Sequence, residues 1–143
     1  MIRPFTETDL ESIINIWLEA SIISHNFITK DYWVSKIDDM KEKYIPNSET
    51  YVYERDKQIL GFFSLSENRL AAIFVSPGFQ NQGIGKEMIS QAKLLREELR
   101  LNVYKENTKS IIFYEKTGFK KINESLDKNT NQIEIEMEWQ SGN

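Results

Sequence analysis

The spacing of apolar side chains over the first third of the chain predicts two helices. Apolar residues recur at steps of three and four, the period of a helix with one buried face, at Leu10, Ile13, Ile14, Trp17 and Leu18. Thr8 and Glu11 have the spacing of a capping box, so the first helix is expected over roughly residues 8 to 20. The same period over residues 33 to 44 predicts a second helix, which ends before Pro46 because the residue before a proline disfavours helical geometry.

The middle of the chain follows a different pattern, in which β-branched and aromatic residues form short runs between polar turns. Runs at residues 50 to 55, 58 to 65 and 69 to 75 predict three strands in an antiparallel meander. Helical spacing returns at Ile84 and predicts a third helix, and residues 99 to 104 then predict a fourth strand.

The last third of the chain predicts one more helix and a strand with one polar face. Asn107 or Thr108 can cap a fourth helix that ends at Gly118, and residues 132 to 139 alternate apolar side chains with glutamates. A further strand is expected at residues 119 to 122. The element order predicts the α/β (α+β) class, with one mixed, mostly antiparallel sheet of about six or seven strands flanked by about four helices.

Composition limits the chemistry that the chain can perform. It has 143 residues, 40% of them hydrophobic, and a formal net charge of −4, which suits a single domain over residues 1 to 143 and argues against a nucleic-acid partner. With no cysteine and one histidine, no metal site is expected. Neither an apolar stretch of about 20 residues nor a signal-peptide pattern is present, so no membrane partner and a cytoplasmic location are expected.

Two glycines stand where the third helix is predicted to begin. Gly83 and Gly85 suit an ordinary turn before a helix, but they also suit a phosphate site, because bare backbone lets an anion approach the unpaired amides of a helix N-terminus. Neither standard phosphate motif fits. A Walker A motif would need Lys and Ser or Thr at Ile84 and Gly85, and a dinucleotide fingerprint would need a glycine at Met88.

Two stretches resemble the conserved motifs of one enzyme family. The string "QNQGIG", residues 80 to 85, resembles the Q/R-x-x-G-x-G/A signature of the GNAT acyl-CoA N-acyltransferases. The string "NVYKENTKSIIFYEKTGF", residues 102 to 119, resembles their second motif, in which an asparagine is followed seven residues later by tyrosine and then by Gly-Phe. The element order also matches the family over the whole chain, and residues 17 to 33 resemble small bacterial members that include a peptidyl-lysine acetyltransferase branch.

This resemblance implies acetyl-CoA as the co-substrate and assigns most of its binding residues. The strand edge at Ile73, Phe74 and Val75 should pair with the pantetheine arm, and Asn107 should contact that arm as well. The pyrophosphate should bind the loop formed by Asn81, Gln82, Gly83, Ile84, Gly85 and Lys86.

The resemblance also implies direct transfer of the acetyl group to a primary amine. Tyr114 occupies the family's tyrosine position and is the predicted general acid for the leaving thiolate, although an aromatic core residue would suit its surroundings too. The backbone amide of Val75 or a neighbour is the predicted oxyanion donor.

The general base stays open at this point. The family often places a carboxylate at positions that correspond here to residues 70 to 74 or to Asn102, but residues 70 to 74 carry none and Asn102 is neutral. The candidates that remain are Glu67, Glu106 and His25, acting directly or through water, or an acceptor that enters already deprotonated. His25 lies in the loop that borders the acceptor in this family, so we assign it a catalytic role, with a purely structural histidine as the alternative. Three aromatic side chains can line the same pocket or belong to the core: Phe27, Tyr32 and Trp33.

The predicted function is that of an acetyl-CoA-dependent N-acetyltransferase. The acceptor is a small-molecule amine or, alternatively, a protein lysine or N-terminal amine. A domain that binds acyl-CoA without turnover is a third reading, against which Tyr114 and the intact loop argue. The sequence leaves the oligomeric state open, and a homodimer is one candidate because family members often dimerise.

Overall fold

Seven strands form one sheet in the computed structural model of the chain, which describes residues 1–142. The strands are β1 (Ile2–Pro4), β2 (Glu49–Arg55), β3 (Gln58–Ser66), β4 (Arg69–Val75), β5 (Glu98–Tyr104), β6 (Lys120–Asp127) and β7 (Gln132–Gln140). Their order in the sheet is β1-β2-β3-β4-β5-β7-β6. Neighbours run antiparallel except for β4 and β5, which are parallel. The predicted mixed, mostly antiparallel sheet is therefore confirmed.

Four helices cover the sheet, as predicted, but both ends of the first, which was expected over residues 8 to 20, and the course of the second differ from prediction. They are α1 (Leu10–Ser24), α2 (Lys30–Ser35), α3 (Ile84–Leu95) and α4 (Thr108–Lys116). The capping box expected at Thr8 and Glu11 is wrong, because the Asp9 carboxylate accepts the Thr6 amide at 2.9 Å. The predicted second helix is broken after α2, and its remainder forms the short helical segments Ile37–Asp39 and Met40–Tyr44.

Two hydrophobic cores lie on opposite faces of the sheet. Adjacent residues of β3 point to different cores, Phe62 to one and Phe63 to the other, as the alternation of a strand requires. The first core packs α3 and α4 against the sheet through residues such as Met88, Ile89, Leu101, Val103 and Phe119. The second packs α1 and α2 through residues such as Ile13, Ile14, Trp17, Trp33 and Val52.

The sheet is open between β4 and β5. These two strands pair at one position only, Arg69 with Arg100, and diverge beyond it. On its other side β4 stays paired with β3 as far as Val75, with a bulge at Ala71 where the register shifts. The β4 edge at residues 73–75 therefore faces an opening, with α1 and α2 on one side of the sheet and α3 and α4 on the other.

No helix in the part of the chain described here is long and apolar enough to span a membrane.

Candidate active site

The loop between β4 and α3 has a left-handed backbone at two residues. Asn81 has a φ of 64° and Gly83, the residue before α3, has a φ of 86°. A β carbon on Gly83 would meet no heavy atom within 4 Å, so its backbone conformation, and not crowding, favours glycine here. The loop turns the chain from the strand into the helix in the place that the sequence predicted.

The backbone amides of this loop are available to a ligand. Among residues 1–142, no acceptor receives a hydrogen bond from the amides of residues 80 to 86, and the first bond of α3 runs from the Glu87 amide to the Gly83 carbonyl at 3.0 Å. The start of a helix also carries a partial positive charge. Free amides and this charge together make the loop suitable for a diphosphate.

The side chains of the loop divide into different environments. The Ile84 side chain is buried in the first core, so only its backbone can meet a ligand, whereas Lys86 is exposed in the first turn of α3. At Gly85, a β carbon would lie 3.3 Å from Cζ of Phe113 and 3.8 Å from Cγ2 of Val75. Close packing of α3 on α4 therefore explains Gly85, a reason that the sequence did not reveal.

Arg55, for which no role was predicted from the sequence, lies beside the loop. Nη2 of Arg55, at the end of β2, is 3.1 Å from Oε1 of Gln82, and its guanidinium lies 5.9 Å from the centre of the Phe79 ring. It adds a cation next to the free amides. No local sequence signal marks Arg55, because its position depends on where β2 ends in the sheet.

Tyr114 lies on α4 and packs against the first core. Its ring is half-buried, and it makes edge contacts with Phe113 and Phe119 at 5.4 and 5.8 Å. Within residues 1–142 its hydroxyl has no hydrogen-bond partner, and burial raises the pKa of the phenol. Tyr114 is thus a neutral donor at physiological pH, with its proton not engaged elsewhere.

Asn107 and His25 connect the two helix layers. Oδ1 of Asn107 accepts the Ser110 amide at 3.4 Å and caps α4, so its Nδ2 donates to Nε2 of His25 at 3.2 Å. Nε2 is then an acceptor, and we assign the proton of the neutral ring to Nδ1. A histidine in this state has no free lone pair with which to take a substrate proton.

His25 is held in an aromatic cluster. Its ring stacks on Trp33 at 5.1 Å and makes edge contacts with Tyr104 at 5.4 Å and Phe27 at 5.8 Å. The residue is 9% exposed, Nδ1 has no partner in the described chain, and burial lowers the pKa of the ring to about 4. The histidine is therefore neutral at physiological pH and oriented by its neighbours. Its influence on the acceptor stays a prediction.

The remaining candidates for the general base are not brought together. Glu67 lies in the turn before β4, at the end of that strand opposite to residues 73–75, and Glu106 is exposed between β5 and α4. Oδ1 of Asn102 lies 3.3 Å from Nη1 of Arg69. None of the described residues forms a group of three or more potential metal ligands.

Comparison with known proteins finds a family and close relatives. A family model described as an acetyltransferase (GNAT) domain matches residues 46–121. The chain is 38% identical over 120 residues to the peptidyl-lysine N-acetyltransferase YiaC of Escherichia coli (strain K12), which covers 83% of this chain and 82% of YiaC. It is 30% identical over 120 residues, with the same coverage, to the peptidyl-lysine N-acetyltransferase YjaB of Salmonella typhimurium.

Solved structures share the fold. The apo form of YjaB from Escherichia coli superposes with a TM-score of 0.86 at 25% identity, covering 97% of this chain and 96% of YjaB. The PaiA N-acetyltransferase of Thermoplasma acidophilum, solved in complex with coenzyme A, gives a TM-score of 0.81 at 23% identity and covers 98% of each chain. The chain therefore shares its overall fold with a protein that was solved with coenzyme A bound.

Proposed function

We propose that the acceptor of this enzyme is the side-chain amine of a lysine in a protein or peptide. The premise is that the chain belongs to the GNAT acetyltransferase family and is an N-acetyltransferase that uses acetyl-CoA. Two relatives that each cover more than four-fifths of this chain carry the name peptidyl-lysine N-acetyltransferase. The negative net charge of the chain also suits a cationic acceptor.

The divergence of β4 from β5 next to a loop with free amides is the observation that carries the acetyl-CoA site. An extended arm with its own amide groups can pair with the exposed β4 edge at Ile73, Phe74 and Val75 as an added strand would. The amides of residues 81 to 86 can hold the pyrophosphate, with Lys86 and Arg55 supplying positive charge nearby. Asn107 lies at the start of α4 and is proposed to contact the pantetheine.

Tyr114 is proposed to donate a hydrogen bond to the thioester sulfur as negative charge develops on it. A phenol with a raised pKa holds its proton at physiological pH, so it is a suitable donor. A backbone amide at Val75 or its neighbour is proposed to stabilise the oxyanion. Tyr114 acts on the sulfur and the backbone amide acts on the carbonyl oxygen. Neither group takes the proton of the acceptor amine.

The acceptor is tested by measuring thiol release from acetyl-CoA with a panel of lysine peptides, peptides with only an N-terminal amine, and small primary amines. We expect lysine peptides to be the best substrates, with the acetyl group located on Nε by mass spectrometry. Turnover of small amines without turnover of any lysine peptide would contradict the proposal and leave the small-molecule alternative. Sedimentation of the same protein tests whether it forms a homodimer.

A further inference from the structure

One face of β7 carries three glutamates, and two of them are paired with arginines. The Glu138 carboxylate lies 3.0 Å from Nη2 of Arg100, and the Glu136 carboxylate lies 3.0 Å from Nη2 of Arg69. The third glutamate, Glu134, has no ion pair or side-chain hydrogen bond within residues 1–142. The row of ion pairs along this face therefore does not include Glu134.

The residue that faces Glu134 across the sheet is a tyrosine. Tyr104 of β5 is its register partner, and its hydroxyl donates to the Asp127 carboxylate at 2.8 Å. Tyr32 of α2 is a second phenol in this environment. Glu134 is half-buried, and burial raises the pKa of its carboxyl group, the Asp127 carboxylate raises it further, and Arg69 lowers it in part. A partly desolvated carboxylate that lies beside aromatic rings and has no ion-pair partner is suited to an external ammonium group.

Glu134 also lies at the open end of the diverging strands. The two paired glutamates stand towards the position where β4 and β5 still meet, at Arg69 and Arg100, whereas Tyr104 is the last residue of β5. Tyr104 packs with the core of α1 and α2, and Tyr114 packs with the opposite core. β7 is separated from the opening by β5, so an amine that enters from the side of α1 and α2 can approach Glu134 across the end of β5, while the sulfur can approach Tyr114 from the other side.

We propose that Glu134 binds the ammonium group of the acceptor and accepts its proton. The inference rests on the proposed function only in taking the acceptor to be a lysine, because any other primary ammonium group would transfer its proton in the same way. The Glu134 carboxylate takes one proton from the ammonium, and the freed nitrogen lone pair forms the C–N bond at the thioester carbonyl. The C–S bond breaks with its electron pair on sulfur, which takes the proton of Tyr114, and the nitrogen gives its second proton to solvent to complete the amide. Glu134 then returns its proton to solvent and Tyr114 takes one back, so that one proton is released in each turnover.

The test compares Glu134→Gln with Glu138→Gln as a matched control. Both remove one charge from the same face of β7, but Glu138 is paired with an arginine at the closed end of the opening. For a lysine peptide we expect kcat/KM to fall by at least about a hundredfold in Glu134→Gln, within the range for a lost general base, and to change little in the control. Calorimetric titration of acetyl-CoA and the melting temperature should be unchanged in Glu134→Gln.

Two further measurements separate proton transfer from a structural effect. The acid limb of the wild-type kcat/KM profile should follow protonation of Glu134, and in Glu134→Gln it should be replaced by a limb that follows the pKa of the acceptor amine. The other groups that face Glu134, namely Asp127, Tyr104, Tyr32 and Arg69, are the same in both proteins. A lysine analogue whose amine has a lower pKa enters already deprotonated, so it should recover much of the lost rate in the variant and not in a protein damaged elsewhere.

Equal activity of the two variants, or an unchanged acid limb in Glu134→Gln, would overturn the assignment. If the wild type acetylates small amines and no lysine peptide, the proposed acceptor is wrong, and the same pair of variants compared on the best small amine still decides the role of Glu134. A parallel loss of acetyl-CoA affinity would also overturn it, since Glu134 would then serve the cofactor side.

Discussion

Replacing Gly83 with alanine tests whether the loop before α3 needs a left-handed residue. The φ of Gly83 is 86°, and a β carbon there meets open space, so the substitution adds a conformational cost without a clash. A non-glycine residue in this region costs about 1–2 kcal/mol. This cost is shared between the free energy of unfolding of the apo protein and the free energy of acetyl-CoA binding.

The division depends on whether the variant loop keeps its conformation. If it stays left-handed, the apo protein loses the whole penalty in unfolding free energy, about 3–7 °C in Tm for a chain of this length, and acetyl-CoA affinity is unchanged. If the loop relaxes, apo stability holds and affinity falls by about five- to thirtyfold. In either case the protein saturated with acetyl-CoA loses the full 1–2 kcal/mol relative to wild type, because binding restores the same loop.

Urea unfolding with and without saturating acetyl-CoA, together with calorimetric titration, measures both parts. Gly78→Ala is the matched control, since its β carbon would also meet open space and its φ lies outside the left-handed region. Gly83→Asn is a second variant, because asparagine tolerates this region better than alanine. If Gly83→Asn keeps the stability of the wild type but still binds acetyl-CoA more weakly, the added side chain obstructs the ligand.

The result that would refute this reasoning is a Gly83→Ala protein whose stability in saturating acetyl-CoA equals that of Gly78→Ala. The bound loop would then not require the left-handed conformation at Gly83.

Three other substitutions have separate readouts. Tyr114→Phe should lower kcat by roughly ten- to a thousandfold at unchanged acetyl-CoA affinity, measured by steady-state kinetics and titration, and wild-type turnover would remove its role as proton donor. Burial lowers the pKa of His25 from 6.5 to about 4, so the unfolded chain takes up the proton first and unfolding free energy falls as pH drops through this window. His25→Gln should remove that part of the slope in urea unfolding, and an unchanged slope would assign it to other groups. Gly85→Val should lower Tm through its contact with Phe113, and Gly85→Val in a Phe113→Leu background should recover part of the loss, whereas an unchanged Tm would show that the ring moves freely.

The strands were easier to predict than their ends and partners. The three predicted runs of the meander match β2, β3 and β4 to within one residue, because alternation and turn residues are local signals. β1 was not predicted, since three residues are too few for a pattern and the strand depends on pairing of Ile2 with Tyr53. β6 extends to Asp127, five residues beyond the predicted end at Ile122, because its mostly exposed residues carry no apolar alternation and depend on pairing with β7.

Some residues of the candidate site could also be predicted from the sequence, and others could not. The loop at Gly83 could be predicted because a glycine motif before a helix is a contiguous signal. Arg55 and Glu134 could not, because each depends on register: one on where β2 ends, the other on which β5 residue faces it. The alternating glutamates of β7 look alike in sequence, and only the sheet shows that two form ion pairs with arginines and the third faces Tyr104.

The hydrogen bond between His25 and Asn107 joins residues 82 positions apart in a place where the sheet itself provides no pairing. A buried hydrogen bond contributes about 0.5–1.5 kcal/mol, which is small beside the two cores, so stability alone does not explain a polar pair at this point. Its geometric effect is direct, because Asn107 also caps α4, the helix that carries Tyr114. The same histidine packs on Tyr104, which faces Glu134. This buried hydrogen bond therefore indirectly connects two residues on opposite faces of the sheet. They are Tyr114, the proposed donor to sulfur, and Glu134, the proposed proton acceptor.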